Sequence, residues 1–319
     1  KSDGGEKRKW YIAPSANMIV TPLKDVNTRL SFQRSVVRPE LADYVPFPMY
    51  DTHLMGTAVN RIVLPSTVDA IDFLVEKYID TRDFVSAGLF YRHIHRPIER
   101  TTYLFRYDEP MYVLQNSDKA FCYGFETTVR SHLGFITDAG FLMKTEVSAG
   151  FTLSRSSVTG KRMEIVPQDN GEEKFTETKS TQHRPLTGQT PYLFNFGIRY
   201  TDKRIQANIL FDRTGRQLFL LGENAYQHEY RAAMNSLEAS ISYRFPKNDI
   251  LLKISGRNLL NAVQIFYTNT PEDYVRNEFN FPTDELLPRK TENYDKGRDP
   301  ITHEVKNGQT FSISISSSF

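Results

Sequence analysis

The sequence predicts an all-β protein, an antiparallel transmembrane β-barrel to which this chain contributes about eleven strands. Three observations carry that expectation. Apolar and polar residues alternate along run after run of the chain, the connections between runs alternate short and long, and the polar faces carry charges that an apolar core would not accept.

The C-terminal run shows the alternation most cleanly. In QTFSISISSSF, Phe311, Ile313, Ile315 and Phe319 share one face and Thr310, Ser312, Ser314, Ser316 and Ser318 the other, a period of two residues rather than 3.6. Upstream, SLEASISYRF sets Leu237, Ala239, Ile241, Tyr243 and Phe245 opposite Glu238, Ser240, Ser242 and Arg244. LLKISGR sets Leu252 and Ile254 opposite Lys253, Ser255 and Arg257, and only PKND separates the two runs. That spacing predicts a tight hairpin. YLFNFGIRY and RIQANILFD repeat the unit around TDK, with Phe194, Phe196, Ile198 and Tyr200, then Ile205, Ala207, Ile209 and Phe211, as apolar faces. Further strands are expected at Trp10–Val20, Thr28–Val37, Val68–Tyr78, Phe84–Ile94, Phe121–Ser131 and Phe141–Arg155.

Short turns at TPLKDVN, TRD, LGFITDAG, TDK and PKND alternate with long loops near 38–67, 95–119, 156–191, 213–235 and 260–308. A β-sandwich has no reason for that alternation, whereas outer-membrane barrels combine short periplasmic turns with long extracellular loops. The loops hold no helical period long enough for a second domain and are expected to form a surface mouth; loops of this length are usually functional or disordered.

Composition fits the same reading. Residues are 13% aromatic and 24% charged, and barrel strands, apolar outward and polar inward, hide from hydropathy averages. No stretch approaches the ~20 apolar residues of a helical span. The formal charge of +2 comes without a dense basic stripe, which argues against a nucleic-acid partner. The single Cys122 excludes an internal disulfide and any CxxC motif and reads as a small buried residue.

Lys144, Glu146, Arg199, Gln206, Asn208, Glu238, Arg244, Lys253 and Arg257 occupy the polar faces. Burying them unpaired in a sandwich core would cost several kcal/mol each, whereas a wide polar lumen accommodates them. Tyr192, Tyr200, Phe211, Tyr243 and Phe245 lie toward strand ends, where rings anchor at membrane interfaces. A spanning sheet must close, and single-chain bacterial barrels close with even numbers of strands. Eleven is half of the 22-stranded transporter barrel, so residues 1–319 are expected to be its C-terminal half, with the plug domain absent from this chain. Lys1–Gly5 shows neither an initiator Met nor an apolar signal core, as in a processed, truncated or excerpted chain.

Four segments carry a resemblance. SFQRSVVRPELADYVPFPMYD (Ser31–Asp51), the span Leu64–Glu99 with LPSTVDAIDFLVEKY and FVSAGLFYRHIHRPIE, RPLTGQTPYLFNFGIRY (Arg184–Tyr200) and KISGRNLLN (Lys253–Asn261) resemble, in order, segments of TonB-dependent outer-membrane receptors, in the style of the Bacteroidota branch. The resemblance implies energy-coupled import of a siderophore, cobalamin, glycan or peptide across the outer membrane of a Gram-negative bacterium. It implies a plug domain with a TonB box, the TonB, ExbB and ExbD motor, membrane lipid and a barrel-assembly machinery as partners, and a surface lipoprotein as a further one. It also implies that Phe311, Ile313, Ile315 and Phe319 form the assembly signal.

No enzyme, cofactor or metal is expected. His93 and His95 stand two apart on one strand, a spacing that can bind metal, but an interfacial role is the expectation at a strand end. Asp108 with Glu109, and Glu172 with Glu173, are sequence neighbours in loops without fixed acid–base geometry. The alternatives are a self-contained outer-membrane protease or phospholipase, for which no Ser, His and acid motif is found, and an adhesin barrel.

Overall fold

The computed structural model describes residues 10–40, 48–51, 56–59, 63–80, 83–104, 110–136, 139–167, 173–222, 227–246, 250–269 and 293–317. Through the first part of the chain run β1 (Ser15–Leu23), β2 (Val26–Val37), β3 (Met49–Asp51), β4 (Gly56–Val59), β5 (Ser66–Tyr78), β6 (Phe84–His95), β7 (Ile98–Leu104), β8 (Pro110–Asn116) and β9 (Lys119–His132). The remainder carries β10 (Thr145–Pro167), β11 (Glu173–Arg184), β12 (Tyr192–Thr201), β13 (Ile205–Thr214), β14 (Gln217–Leu220), β15 (Glu229–Arg231), β16 (Met234–Arg244), β17 (Ile250–Arg257), β18 (Gln264–Thr268), β19 (Ile301–Val305) and β20 (Thr310–Ser317).

Eleven strands form one antiparallel wall in the order β1-β2-β5-β6-β9-β10-β12-β13-β16-β17-β20, and β11 folds back on the outer part of β10. The wall is open, with β1 and β20 at its edges. Its register aligns Met18, Leu30, Phe73, Leu89, Phe125 and Leu153 across six strands. All six are exposed, and a continuous apolar band of this kind is what a barrel presents to hydrocarbon. The opposite face is polar and paired: Arg92 meets Asp72 at 2.6 Å, His132 meets Asp83 at 2.9 Å, and Arg199 lies 3.9 Å from Glu146. On that face the Phe90 ring covers Gly124, where a Cβ would stand 2.4 Å from Phe90 Cζ and 2.3 Å from the Leu153 carbonyl oxygen. Only glycine fits there.

The expected eleven strands and the alternation of connections hold; several details differ. β1 begins at Ser15 rather than Trp10 and runs on to Leu23, so the expected turn TPLKDVN shrinks to Lys24 and Asp25. Asp25 takes φ 61°, a conformation that a short polar side chain tolerates. β10 begins at Thr145 rather than Phe141, because Leu142–Lys144 form a 3₁₀ turn on the Ala139 and Phe141 carbonyls. It then continues past Arg155 to Pro167, where β11 supplies its partner. Cys122 is half-buried rather than buried. The long connections are not plain loops: two further four-stranded sheets, β3-β4-β8-β7 and β14-β15-β18-β19, lie within them. At the opposite end, Tyr200 stacks on Phe141 at 5.2 Å and Tyr243 meets Phe245 edge-on at 4.9 Å, as expected of an aromatic belt.

Candidate functional site: the platform built from the long loops

The two loop sheets join into one platform at the long-loop end. Thr101 bridges Leu221, the Thr102 N–H donates to the Leu221 carbonyl at 2.6 Å, and the Leu221 N–H donates to the Arg100 carbonyl at 3.2 Å. Leu218, Leu221, Tyr230 and Tyr267 form its buried core, with Ala232 and Tyr294 packed against them; Tyr112, Leu220 and Phe219 form a second cluster. A bulge between Leu218 and Leu220 sends Leu218 into the first cluster beside Tyr230 and Leu220 into the second beside Tyr112, so β14 buries side chains in both and lacks the polar face that marks the wall.

One ion pair anchors the platform to the wall. Glu99 on β7 is 1% exposed, and Arg184 at the end of β11 reaches both its oxygens, Nη1 to Oε1 at 2.7 Å and Nη2 to Oε2 at 2.6 Å. The fork of the guanidinium matches the carboxylate in two parallel bonds. Ser117 Oγ donates to Oε2 at 2.5 Å and the Thr187 N–H to Oε1 at 3.3 Å, so the buried carboxylate is fully engaged.

The rest of RPLTGQTPY continues the joint. Gly188, at φ +78°, donates its N–H to the Leu218 carbonyl at 2.8 Å, a left-handed position that suits glycine. Gln189 Nε2 donates to Ser154 Oγ at 2.7 Å and to the Thr190 carbonyl at 2.7 Å, while Ser156 Oγ donates to Gln189 Oε1 at 2.9 Å. Gln217 Nε2 bonds Thr190 Oγ1. On the neighbouring connection Asn116 accepts from the Leu64 N–H at 2.7 Å and donates to the Leu64 and Arg96 carbonyls. A motif found by resemblance is thus a set of hydrogen bonds fixing loops to β10.

A polar pair sits inside the platform. His303 stacks on Phe266 with ring centroids 4.0 Å apart, and its Nδ1 lies 3.1 Å from Glu229 Oε1, which also accepts from Thr302 Oγ1 at 2.5 Å. Burial raises the Glu229 carboxyl above its ordinary range, with Thr302 opposing, and burial lowers the His303 imidazole. Both groups are held toward their neutral forms. Arg216 lies over the Tyr230 ring at 5.5 Å. The platform offers aromatic and hydrogen-bonding groups, with no nucleophile and base in triad geometry among the described residues.

Of the residues singled out from sequence, Phe311, Ile313 and Ile315 lie in one row on β20, 66%, 72% and 72% exposed, against Gly256, Ile254 and Leu252 of β17. Phe319, Asp108, Glu109 and Glu172 lie outside the described residues. His93 and His95 do share a face, and Asp69 joins them, a third member that spacing along one strand could not reveal. Glu99, Glu229 and His303 were not anticipated, because their partners come from loops remote in sequence.

The chain belongs to the TonB dependent receptor-like, beta-barrel family, whose sequence profile matches residues 1–259. Among solved structures it is similar to "Copper transporter OprC", at 13% identity and TM-score 0.56, with 96% of this chain and 39% of that one covered. A variant of the ferric enterobactin receptor PfeA from Pseudomonas aeruginosa matches at 15% identity and TM-score 0.53, with 96% and 40% covered. Another PfeA variant, in complex with enterobactin, matches at 14% identity and TM-score 0.54, with the same coverage. At these identities the likeness is one of fold. The chain spans about two fifths of the length of these proteins. No curated protein matches the sequence. The family and these neighbours are receptors and transporters rather than enzymes.

Proposed function

We propose that residues 1–319 are the C-terminal half of the 22-stranded barrel of an outer-membrane receptor that imports a scarce nutrient by TonB-dependent transport. The observation that carries this reading is the eleven-stranded antiparallel wall with an exposed apolar band, in a chain whose family is that of TonB-dependent receptor barrels. In this reading the short turns face the periplasm, the platform forms the extracellular mouth, and the paired polar face lines a lumen filled by a plug from the rest of the protein. TonB with ExbB and ExbD supplies the energy through that plug. The barrel-assembly machinery inserts the chain, and a surface lipoprotein of the Bacteroidota kind caps the mouth. A siderophore, glycan or peptide is the cargo.

The test is uptake by whole cells carrying the full-length receptor, offered labelled ferric siderophores, oligosaccharides and peptides. One class is expected to be taken up by receptor-bearing cells and not by a receptor deletion or a TonB-null strain. Uptake that survives loss of TonB, or no difference on receptor deletion for any class, defeats the proposal.

A further inference from the structure

Three side chains meet on the outward face of the wall near its long-loop end. Pairing of β5 with β6 sets Asp69 directly opposite His93, with His95 two residues along on the same face. One nitrogen of each imidazole and one carboxylate oxygen lie within 4.8 Å of one another. The distance from His95 Nε2 to Asp69 Oδ2 is 3.5 Å. Metal bonds of about 2.0–2.1 Å at a tetrahedral ion hold ligand atoms about 3.4 Å apart. That pair already stands at ligand spacing, and the His93 nitrogen lies within 4.8 Å of both.

A buried atom without a partner points to a ligand there. The His93 Nε2 atom is buried and has no hydrogen-bond partner, which leaves a polar group unsatisfied unless something binds it. Its ring is fixed, stacked on Phe121 at 4.6 Å and 5° and touching the His95 ring at 4.0 Å. On the other side Arg34 grips Asp69, Nε to Oδ1 at 2.5 Å and Nη2 to Oδ2 at 2.8 Å. A carboxylate offers about four lone-pair sites, so two remain, and Arg34 orients the group as outer-shell partners of metal ligands do.

Charge narrows the choice of ion. Arg34 and Lys119, the latter over the Phe121 ring at 5.7 Å, flank the cluster and oppose a hard cation held by charge alone. Imidazole nitrogens favour zinc, copper or nickel over calcium and magnesium.

We propose that Asp69, His93 and His95 form a binding site for a divalent late first-row metal ion, zinc(II) foremost, on the outer wall apart from the mouth. Two imidazoles and a carboxylate leave a fourth position open for water, and the bound ion would tie β5 to β6. This assignment is independent of what the receptor transports.

The test uses the full-length receptor in detergent, stripped with chelator and titrated with zinc by calorimetry, with X-ray absorption at the zinc edge. Wild type is expected to bind one equivalent with imidazole scattering at about 2.0–2.1 Å. The double substitution His93→Gln with His95→Gln should lose that equivalent, and Asp69→Asn should weaken it about tenfold or more, at least the loss seen for outer-shell partners. If the double variant does not assemble, the wild-type absorption spectrum decides alone. No bound zinc in wild type, a spectrum without imidazole, or a folded double variant that binds as wild type does overturns the proposal.

Discussion

Replacing Arg184 by Met is expected to loosen the platform while leaving the wall intact. Glu99 is 1% exposed and draws two of its bonds from Arg184 at 2.6 and 2.7 Å. Removing one partner of a buried pair leaves an uncompensated charge and costs about 3–5 kcal/mol. At about 1.4 kcal/mol per tenfold, local opening should rise by roughly one hundred to a few thousandfold. Hydrogen exchange read by mass spectrometry on the full-length receptor in detergent measures it. Peptides carrying the Thr102, Gly188 and Leu221 amides, bonded respectively to Leu221, Leu218 and Arg100, should lose protection, while peptides from the paired middles of β9 and β10 should not. The double substitution Glu99→Leu with Arg184→Met should recover most of the loss, because an apolar pair carries no stranded charge. Unchanged protection at those three amides in Arg184→Met would refute the anchoring role.

Further outcomes follow from the same geometry. Gly124→Val should lower the yield of folded barrel, by about 1–3 kcal/mol of overpacking, since a Cβ there lies 2.4 Å from Phe90 Cζ; heat-modifiable gel mobility checks it. Ile313→Lys, on the exposed apolar row of β20, should cost about 2–4 kcal/mol if it faces the bilayer midplane, and Ser314→Lys, on the other face, far less; urea unfolding from lipid vesicles separates them, and equal costs would sink the face assignment. The platform should respond to pH in two ways. The raised carboxyl of Glu229 contributes stability that is full below the ordinary glutamate pKa and lost as pH rises through the raised one, so Glu229→Gln should flatten that loss. The lowered His303 contributes stability present above the ordinary histidine pKa and lost as pH falls through the lowered one, so His303→Phe should remove that acid-side decline. Exchange of the Tyr267 region against pH reads both.

The wall was legible in the sequence because lipid on one side and a polar lumen on the other impose a period of two, which each strand carries by itself. Ile313 and Ser314 announce their faces without reference to any partner. The ends of strands were less legible, since they are set by local hydrogen bonds that composition does not show: the carbonyls of Ala139 and Phe141 delay β10 to Thr145, and β11 prolongs it to Pro167. The platform was not legible at all as structure. Its strands are short, bury both faces and find partners far along the chain, as Thr101 does in Leu221. The Asp69, His93 and His95 cluster falls between these cases. The histidine pair is visible by spacing, yet Asp69 becomes its neighbour only once the β5–β6 register is fixed, and that register follows from matching the apolar rows of both strands. Aligning Phe73 with Leu89 and Ile71 with Tyr91 on the lipid side compels Asp69 to face His93. The demand that hydrocarbon makes on the wall therefore also assembles a polar site at its rim.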